Sequence, residues 1–363
     1  MNIDAIYIHI PFCIKKCDYC DFLSFQVGCY DIDKYVDYLL REIKFYGCYS
    51  YDTVYIGGGT PSILDLNNID KILSSLNIQS NAEITIEVNP GTINLEKIKN
   101  YRKLGINRLS IGIQTFNNKY LKILGRIHNA NEGKEAYFNA IKGGFDNINL
   151  DLMFSLPGQN LLDIENDLEE LFLLNPPHFS IYSLIWENGT KFYEKLKLGE
   201  FNITDNDLEA QMYEKIIDEA NKNEYIHYEI SNFSKNNYSS RHNLKYWKNK
   251  NYIGVGLGAS GYVGKIRYKN LYDFDEYYKK IDERSFPIDE SENEVINTKN
   301  ELEKYSAILN LRLLKDGYTP KNENFLKTCK NLEKKSLLIN INGKYILSRK
   351  GLLFANDVME EFL

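Results

Sequence analysis

The feature that most constrains this chain is a regular alternation of β-rich runs and helical patterns through its first 190 residues. The patterns predict strands at 5–10, 53–56, 83–88, 107–113, 147–153 and 179–185, and helices at 31–46, 66–76, 94–104, 117–142 (broken) and 161–174. A repeat of roughly 25 to 40 residues indicates right-handed βαβ units and a parallel sheet. Six such units predict an α/β fold, an open partial (β/α)6 barrel of the TIM type, in which chemistry sits at the carboxyl ends of the strands.

Beyond about residue 190 the alternation is lost. Patterns there predict a helix at 204–222, a strand at 225–230, a polar loop at 234–241, a glycine-rich run at 254–262 and a linker at 287–300. Helices at 299–315 and 322–334, two strands joined by Asn342-Gly343 and a final helix suggest a small winged-helix-like module. The predicted divisions are a core (1–190), a connecting region (191–286) and this C-terminal module (299–363).

Charge and composition exclude several classes of function. The 363 residues are 43% hydrophobic and 26% charged, as in a globular protein, and their net charge is −6. This acidic balance argues against a broad nucleic-acid interface and favours plain packing over DNA binding for the C-terminal module. No apolar run approaches the roughly 18 residues of a spanning helix, and no secretion signal precedes the first strand. We expect a cytoplasmic protein that binds no nucleic acid, for which peripheral contact with a membrane stays open.

Three of the six cysteines stand close together in HIPFCIKKCDYCDF (9–22), directly behind the first predicted strand. The spacing Cys13-x3-Cys17-x2-Cys20 suits disulfides poorly, and clustered cytosolic cysteines more often hold metal. Three thiolates can each bind one iron of a 4Fe–4S cube and leave the fourth iron without a protein ligand. The alternatives are a three-cysteine zinc site and a coincidental clustering of cysteines. The other cysteines are scattered, and we expect ordinary buried or partly buried residues at Cys29, Cys48 and Cys329.

The pattern CxxxCxxC, in a loop after the first strand of a βα barrel, resembles the radical S-adenosylmethionine (SAM) superfamily. The resemblance implies that the amino and carboxylate groups of SAM chelate the fourth iron. It also implies that an electron from the cluster cleaves the sulfonium of SAM. Glycines in YIGGGTPS (55–62) let backbone approach a ligand closely, and the resemblance gives the contact with the SAM amino group to Gly58, Gly59 and Thr60.

Further candidate SAM residues lie in later motifs of the predicted core. Glu87 ends the third strand in TIEVNP, where a carboxylate suits a ribose diol. The motifs LSIGIQTFN, LGRIHNA and INLDLMFSLPGQ supply Gln114, Arg126 and Asp151. All of these except Arg126 lie near the carboxyl ends of successive strands, as the barrel predicts. Each of them by itself could instead be a structural polar group.

The order of these motifs narrows the resemblance. The stretches YIHIPFCIKKCDYCDF, YIGGGTPS, IEVNPG, RLSIGIQTFN and LDLMFSLPGQ resemble the oxygen-independent coproporphyrinogen III dehydrogenase group, which includes a heme-chaperone branch. This resemblance covers essentially the whole chain and implies SAM contacts for Tyr7 and Tyr19. The dehydrogenase pattern has a further cysteine two positions after the third, and an N-terminal extension. This chain has Phe22 at that place and begins six residues before Tyr7, and both departures favour the chaperone branch.

A second discriminator is the pattern HNxxYW within residues 240–262, formed by His242, Asn243, Tyr246 and Trp247. The chaperone branch carries this pattern and is associated with heme binding. A histidine can supply an axial nitrogen to heme iron, so the resemblance makes His242 the candidate heme ligand. Without the resemblance, His242 would more often be a surface or hydrogen-bonded histidine. A structural role is expected for His9.

The sequence therefore predicts a heme chaperone built on a radical SAM core, with a 4Fe–4S cluster and SAM as cofactors. It would bind heme and pass it to acceptor proteins that the sequence does not identify. The first alternative is an enzyme, either coproporphyrinogen III dehydrogenase or another radical SAM enzyme acting on a tetrapyrrole. The second alternative is a winged-helix nucleic-acid binder that uses a redox cluster as a sensor. The acidic charge and the full set of SAM residues disfavour it.

Overall fold

The predicted strands of the core form one parallel sheet. The computed structural model of the chain describes residues 3–363, so Met1 and Asn2, at which the predicted core begins, lie outside the described residues. The strands are β1 (Ala5–Ile10), β2 (Phe12–Cys13), β3 (Phe25–Gln26), β4 (Ser50–Gly58), β5 (Asn77–Val88), β6 (Arg108–Gln114), β7 (Asn147–Phe154), β8 (His178–Ser183), β9 (Ile226–Glu229), β10 (Asn232–Ser234), β11 (Ile253–Val255), β12 (Ser260–Val263), β13 (Ile266–Lys269), β14 (Glu294–Val295), β15 (Leu338–Ile341) and β16 (Lys344–Leu347).

The main sheet has the strand order β11–β1–β4–β5–β6–β7–β8–β10–β9. All neighbours from β11 to β8 run parallel, whereas β10 and β9 extend the sheet as antiparallel strands beyond β8. The six predicted strands are therefore consecutive neighbours, and β11 and β9 form the two edges of an open sheet. The open partial barrel expected from the sequence is confirmed.

Helices connect the parallel strands, as parallel neighbours require. The helices are α1 (Ile32–Phe45), α2 (Leu66–Ser74), α3 (Leu95–Lys103), α4 (Asn118–Ile123), α5 (Ala130–Lys142), α6 (Leu161–Leu174), α7 (Lys191–Lys197), α8 (Asn206–Lys222), α9 (Arg241–Trp247), α10 (Phe274–Asp282), α11 (Lys299–Asn310), α12 (Glu323–Lys334), α13 (Arg349–Leu353) and α14 (Ala355–Glu360). The helical pattern at 117–142 is broken, as expected, into α4 and α5.

Strict alternation along the strands gives the sheet two different faces. In β1, Ile6, Ile8 and Ile10 are fully buried in the main apolar core, which also contains the buried faces of the surrounding helices. Tyr7 and His9 alternate with them and point to the opposite face, because successive side chains of a strand project to opposite sides. That second face carries tyrosines, carboxylates and histidines, and it forms the interior of the open barrel.

The connecting region is more ordered than its sequence suggested. The glycine-rich run at 254–262 overlaps β11, an edge strand of the main sheet, and β12, which forms a three-stranded sheet with β13 and β14. The expected linker at 287–300 contributes the two-residue strand β14, and its role as a linker stays a prediction. α9 follows the expected loop and begins at Arg241. β9, β10 and β11 lie beyond residue 190 and still belong to the main sheet. The division of the chain at residue 190 stays a prediction.

The C-terminal module has the predicted order of two helices and a hairpin. α11 ends at Asn310, earlier than expected, and the predicted final helix is two short helices, α13 and α14. Inside this module the buried Tyr318 hydroxyl donates to Glu303 Oε1 at 2.8 Å. The winged-helix-like character of the module stays a prediction. Within residues 3–363, no helix is both long enough and apolar enough to span a membrane.

Candidate functional site

A pocket of about 460 Å³ lies at the carboxyl ends of β4 to β8, beneath the loop that carries the clustered cysteines. It brings together nearly all of the site residues predicted from the sequence. These are Cys13, Cys17, Tyr19, Cys20, Gly58, Gly59, Thr60, Glu87, Gln114, Arg126 and Asp151. Tyr7 and His242 are the two predicted residues that do not line it. Convergence at this edge follows from the parallel sheet, whose carboxyl strand ends all face the same way.

The cysteine loop is fastened to the barrel along its length. It leaves β2, returns through β3, and makes a tight turn in which the Cys20 amide donates to the Cys17 carbonyl at 3.2 Å. The Asp18 amide donates to the Leu124 carbonyl at 3.1 Å, and the Asp18 carboxylate pairs with Lys191 at 3.0 Å. These bonds tie the loop both to the end of α4 and to α7, so its conformation is set by the surrounding fold.

Side chains donate hydrogen bonds to two of the three sulfur atoms. The Thr60 hydroxyl donates to Cys13 Sγ and Arg126 Nη1 donates to Cys17 Sγ, each at 3.4 Å. Burial raises the pKa of the Cys20 thiol to about 12 and also raises the pKa of the Cys13 thiol. Iron binds the thiolate form, and hydrogen bonds from a cation and a hydroxyl favour that form. The donor set therefore fits an iron–sulfur cluster.

All six cysteines are free thiols, and only three of them line the pocket. Cys29 and Cys48 are exposed and Cys329 is buried, so the expectation of burial was wrong for the first two. Among residues 3–363, no group of three His, Cys, Asp or Glu side chains is arranged to hold a single metal ion. Thiolates that each bind a different iron of a cube need not converge on one point.

The glycine motif after β4 packs against the protein itself. Gly58 has φ +114°, and a Cβ at this position would lie 2.7 Å from the His9 imidazole. A Cβ on Gly59 would lie 2.6 Å from the Phe12 carbonyl oxygen. The Gly59 amide donates to the Ile10 carbonyl at 2.9 Å and the Thr60 amide to the Phe12 carbonyl at 2.7 Å. The missing side chains thus let this segment continue the pairing with β1 as far as the cysteine loop.

Two carboxylates on the interior face of the sheet, on strands separated by β6, line the pocket. Glu87 accepts from the Tyr55 hydroxyl at 2.7 Å and from the Gly58 amide at 3.0 Å. Asp151 accepts from the Ser110 hydroxyl at 2.9 Å and from the Asn149 side-chain amide at 2.7 Å. Burial raises the pKa of both groups, that of Glu87 to about 7, and the hydrogen bond from Tyr55 opposes the rise. No cation pairs directly with either carboxylate in the described residues, so each retains capacity to accept hydrogen bonds from a ligand.

Gln114 and Arg126 form the side of the pocket between β6 and the cysteine loop. Gln114 has φ +71° and its Oε1 accepts from the Tyr182 hydroxyl at 3.0 Å. Arg126, in the segment between α4 and α5, donates through Nη2 to the Gly112 carbonyl at 2.6 Å and through Nη1 to Cys17. One guanidinium therefore joins the strand end to a cysteine sulfur, which explains how a residue away from the strand ends reaches the site.

Tyr7 lies inside β1, where its hydroxyl is 2.9 Å from His9 Nδ1. His9 Nε2 is in turn 2.9 Å from the Leu23 carbonyl oxygen. The expected structural role of His9 matches these contacts. Since the His9 ring also supports Gly58, Tyr7 reaches the pocket only through its neighbours.

His242 lies at the other end of the barrel. It is fully buried on α9, and its ring nitrogens are 2.9 Å from Thr53 Oγ1 and 2.8 Å from the Tyr246 hydroxyl. Its backbone amide donates to Glu83 at 3.0 Å. Glu83 precedes Glu87 by four residues on β5, which corresponds to about 13 Å along the strand. Burial, aided by Lys245, lowers the pKa of His242 to about 3. The structure therefore does not bring this histidine to the cysteine pocket.

Sequence reasoning missed several residues that contact the predicted ones. Tyr55, Ser110, Met153 and Tyr182 line the pocket or hold its polar groups. The available signal was the two-residue period of the strands. Tyr55 and Ser110 stand on the same faces as Glu87 and Asp151 in the register of the sheet.

Comparison with known proteins agrees with this site and fold. A model of the radical SAM superfamily matches residues 7–171. The protein named heme chaperone HemW from Lactococcus lactis is 37% identical, and the alignment covers 99% of this chain and 97% of that protein. Its namesake from Bacillus subtilis is 35% identical over 99% of each chain.

The solved structure of coproporphyrinogen III oxidase (HemN) from Escherichia coli, described as a radical SAM enzyme, has the same fold. Its TM-score is 0.85 at 21% identity, with 99% of this chain and 90% of that chain covered. The barrel and the cysteine loop at its strand ends thus define a radical SAM protein. Within that class the chain belongs to the HemW family, because it matches HemW relatives over nearly the full length of both chains. The superfamily and branch expected from the sequence are confirmed.

The packing of Gly58 against His9 gives a prediction for stability. Gly58→Ala should lower the free energy of unfolding by roughly 1–2 kcal/mol for left-handed strain and by roughly 1–3 kcal/mol more for the clash with the imidazole. Gly28→Ala is the matched control, because Gly28 also has positive φ but nothing lies within 4 Å of its added Cβ. Urea unfolding of both variants measures the difference. Equal losses would contradict the role given to the His9 contact.

Proposed function

We propose that this protein is a cytoplasmic heme chaperone, which binds heme and passes it to acceptor proteins. The observation that carries the proposal is the full-length match to curated HemW proteins, at 37% and 35% identity. The relationship extends through the C-terminal module and the HNxxYW segment as well as the barrel. Six free thiols are consistent with a reducing compartment.

We propose further that Cys13, Cys17 and Cys20 hold a 4Fe–4S cluster, one iron of which is left for SAM. When bound, these cofactors supply an electron and a reducible sulfonium. The pocket offers no fourth cysteine, since Cys29, Cys48 and Cys329 lie outside its lining. Arg126 and Thr60 favour the thiolate form of two ligands through their hydrogen bonds to sulfur.

The remaining pocket residues suit SAM by their chemistry. Glu87 and Asp151 are acceptors for hydroxyl or amino groups, and Gln114 adds an amide with its donors free for a ligand. Tyr19 offers an aromatic wall in the cysteine loop, and Gly58, Gly59 and Thr60 offer backbone. We assign Tyr7 an indirect role, because its hydroxyl contacts His9, which supports Gly58 from behind.

Phe22 supports the chaperone over the dehydrogenase. It occupies the place of the additional cysteine in the dehydrogenase pattern, lines the mouth of the pocket and is 63% exposed. A phenyl ring there can neither donate a proton nor take part in thiol redox chemistry. A hydrocarbon surface at the mouth suits contact with a macrocycle or with another protein instead.

For the heme itself we propose His242 as an axial ligand, which requires the α9 segment to open. Both ring nitrogens are engaged in the described conformation, so iron must displace the Tyr246 hydroxyl or Thr53 Oγ1. Such competition reduces the apparent affinity by the fraction of molecules in the open state. Moderate affinity suits a carrier that must release its cargo.

The cluster assignment can be tested directly. Anaerobically reconstituted protein should contain about four irons and four sulfides, and replacing any one of Cys13, Cys17 or Cys20 with serine should abolish this content. The matched controls Cys29→Ser, Cys48→Ser and Cys329→Ser should retain it. Iron and sulfide analysis with the visible spectrum measures the outcome. Loss of the cluster in Cys29→Ser as complete as in Cys17→Ser would contradict an open iron.

The heme assignment predicts opposite effects for two substitutions in HNxxYW. His242→Ala should weaken heme binding by about tenfold or more and shift the Soret band, because the axial nitrogen is lost. Tyr246→Phe should strengthen binding by about three- to tenfold, because it removes a hydrogen bond that competes with iron and keeps the aromatic ring. Spectroscopic titration with hemin measures both. His227→Ala is the control. Unaltered affinity and spectrum in both variants would make HNxxYW purely structural.

A further inference from the structure

α9, which carries HNxxYW, closes the amino end of the barrel. Glu83 on β5 accepts from the backbone amides of Arg241 and His242, at 3.2 and 3.0 Å, in the first turn of the helix. Lys245 pairs with Asp4 at 2.7 Å and with Asp52 at 2.9 Å, and Arg241 also pairs with Asp52. The helix is thereby fixed to the residue before β1, to the first part of β4 and to the middle of β5.

One chain of contacts runs from α9 to Glu87. The His242 ring lies against the Tyr55 ring, with centroids 5.2 Å apart and an interplanar angle of 31°. On its other side Tyr55 faces Tyr7, at 6.1 Å. The Tyr55 hydroxyl donates to Glu87 Oε1 at 2.7 Å. With the Gly58 amide, this hydroxyl is one of two donors that orient the Glu87 carboxylate.

A second chain runs from α9 to Asp151. The Ser240 amide, at the N-cap of the helix, donates to the Tyr228 hydroxyl at 3.3 Å, and that hydroxyl is 2.8 Å from His178 Nε2. His178 Nδ1 is 2.6 Å from Asn149 Oδ1. The Asn149 amide donates to Asp151 Oδ1 at 2.7 Å. Both pocket carboxylates are thus connected to the same helix through fully or partly buried polar groups.

We infer that α9 supports the cofactor pocket from the opposite end of the barrel, and that Tyr55 and His242 are positioning residues that hold Glu87 in the orientation in which it binds SAM. The inference rests on the proposed binding of SAM, and it gives HNxxYW a role separate from heme. The ligand chemistry is that of a hydroxyl-bearing or amino-bearing group placed against a carboxylate. A carboxylate whose rotamer is fixed in advance binds such donors without an ordering cost.

Tyr55→Phe is the most conservative test, since it removes one hydroxyl and keeps the ring. SAM binding to the cluster-loaded protein, measured by isothermal calorimetry, should weaken by about tenfold. His242→Gln keeps polar atoms near Thr53 and Tyr246 but loses the stacked ring, and it should weaken SAM binding in the same direction. The matched control is Tyr318→Phe, which removes a hydroxyl donated to a glutamate at 2.8 Å in the C-terminal module. It should leave SAM affinity unchanged.

The pH dependence of SAM affinity separates positioning from general destabilisation. Affinity should rise with pH as Glu87 ionises, because its pKa is about 7 and the carboxylate is the better acceptor. The hydrogen bond from Tyr55 lowers the pKa of Glu87, so removing the hydroxyl raises that pKa. The midpoint of the rise in SAM affinity with pH should therefore move to higher pH. The groups facing Glu87 are Tyr7, Tyr55, Tyr246 and Asp151, and burial raises the pKa of the three tyrosines. The α-amino group of SAM also titrates, at about 7.7–8.0. Because it belongs to the ligand, it contributes equally to the pH profiles of all variants and does not affect their comparison.

Hydrogen exchange provides a readout that needs no SAM. The Gly58 amide donates to Glu87, so its exchange in the peptide of residues 55–62 should quicken in Tyr55→Phe and His242→Gln and stay unchanged in Tyr318→Phe. Unchanged exchange at Gly58 in both variants would overturn the positioning of Glu87. Faster exchange at Gly58, with SAM affinity and the midpoint of its pH dependence both unaltered, would show that the positioning of Glu87 does not matter for SAM binding. Failure of the unsubstituted protein to bind SAM would instead overturn the proposed cofactor, while hydrogen exchange at Gly58 would still test the support of Glu87 by α9.

Discussion

The backbone pairing between the ends of β1 and β4 is the constraint on which the site depends. Gly59 and Thr60 continue the parallel register past β4 and bond the carbonyls of Ile10 and Phe12, immediately before Cys13. This pairing is sterically open only because Gly58 and Gly59 lack a Cβ that would meet His9 and Phe12. The same segment then supplies the Thr60 hydroxyl to Cys13 and the Gly58 amide to Glu87. The backbone of residues 58–60 therefore positions both the cysteine loop and the Glu87 carboxylate.

His242 on α9 is given two roles that its side chain cannot fill at the same time, packing inside the barrel and binding heme iron. In the described conformation the His242 ring contacts Thr53, Tyr55 and Tyr246 and helps to close the amino end of the barrel. An imidazole nitrogen that binds iron cannot keep the same hydrogen bond. If His242 takes heme iron, the contacts that run through Tyr55 to Glu87 change as well. Thermodynamic linkage then requires reciprocity: the factor by which bound heme changes the affinity for SAM is the factor by which bound SAM changes the affinity for heme.

Sequence patterns predicted the parallel sheet because strand and helix periods are local regularities, whereas most of the candidate site residues came from the resemblance to the radical SAM superfamily. Strand and helix periods gave the βα order, and Cys13, Glu87 and Asp151 lie where the ends of parallel strands must meet. The position of His242 did not follow, because α9 lies far along the chain and its place depends on tertiary contacts with Thr53 and Glu83. Tyr55 was missed for a related reason. Its importance arises from cross-strand register, which sets Tyr55 beside Thr85 and within reach of Glu87.

The most direct test of the central claim is a pair of assays on one anaerobically purified, cluster-loaded sample. The first follows heme transfer from the loaded protein to a heme-free hemoprotein, compared with free hemin released at the same concentration. The second supplies coproporphyrinogen III, SAM and a reductant. A heme chaperone should pass heme to the acceptor and leave coproporphyrinogen III unconverted. Formation of protoporphyrinogen without heme transfer would contradict the account and identify the protein as a dehydrogenase.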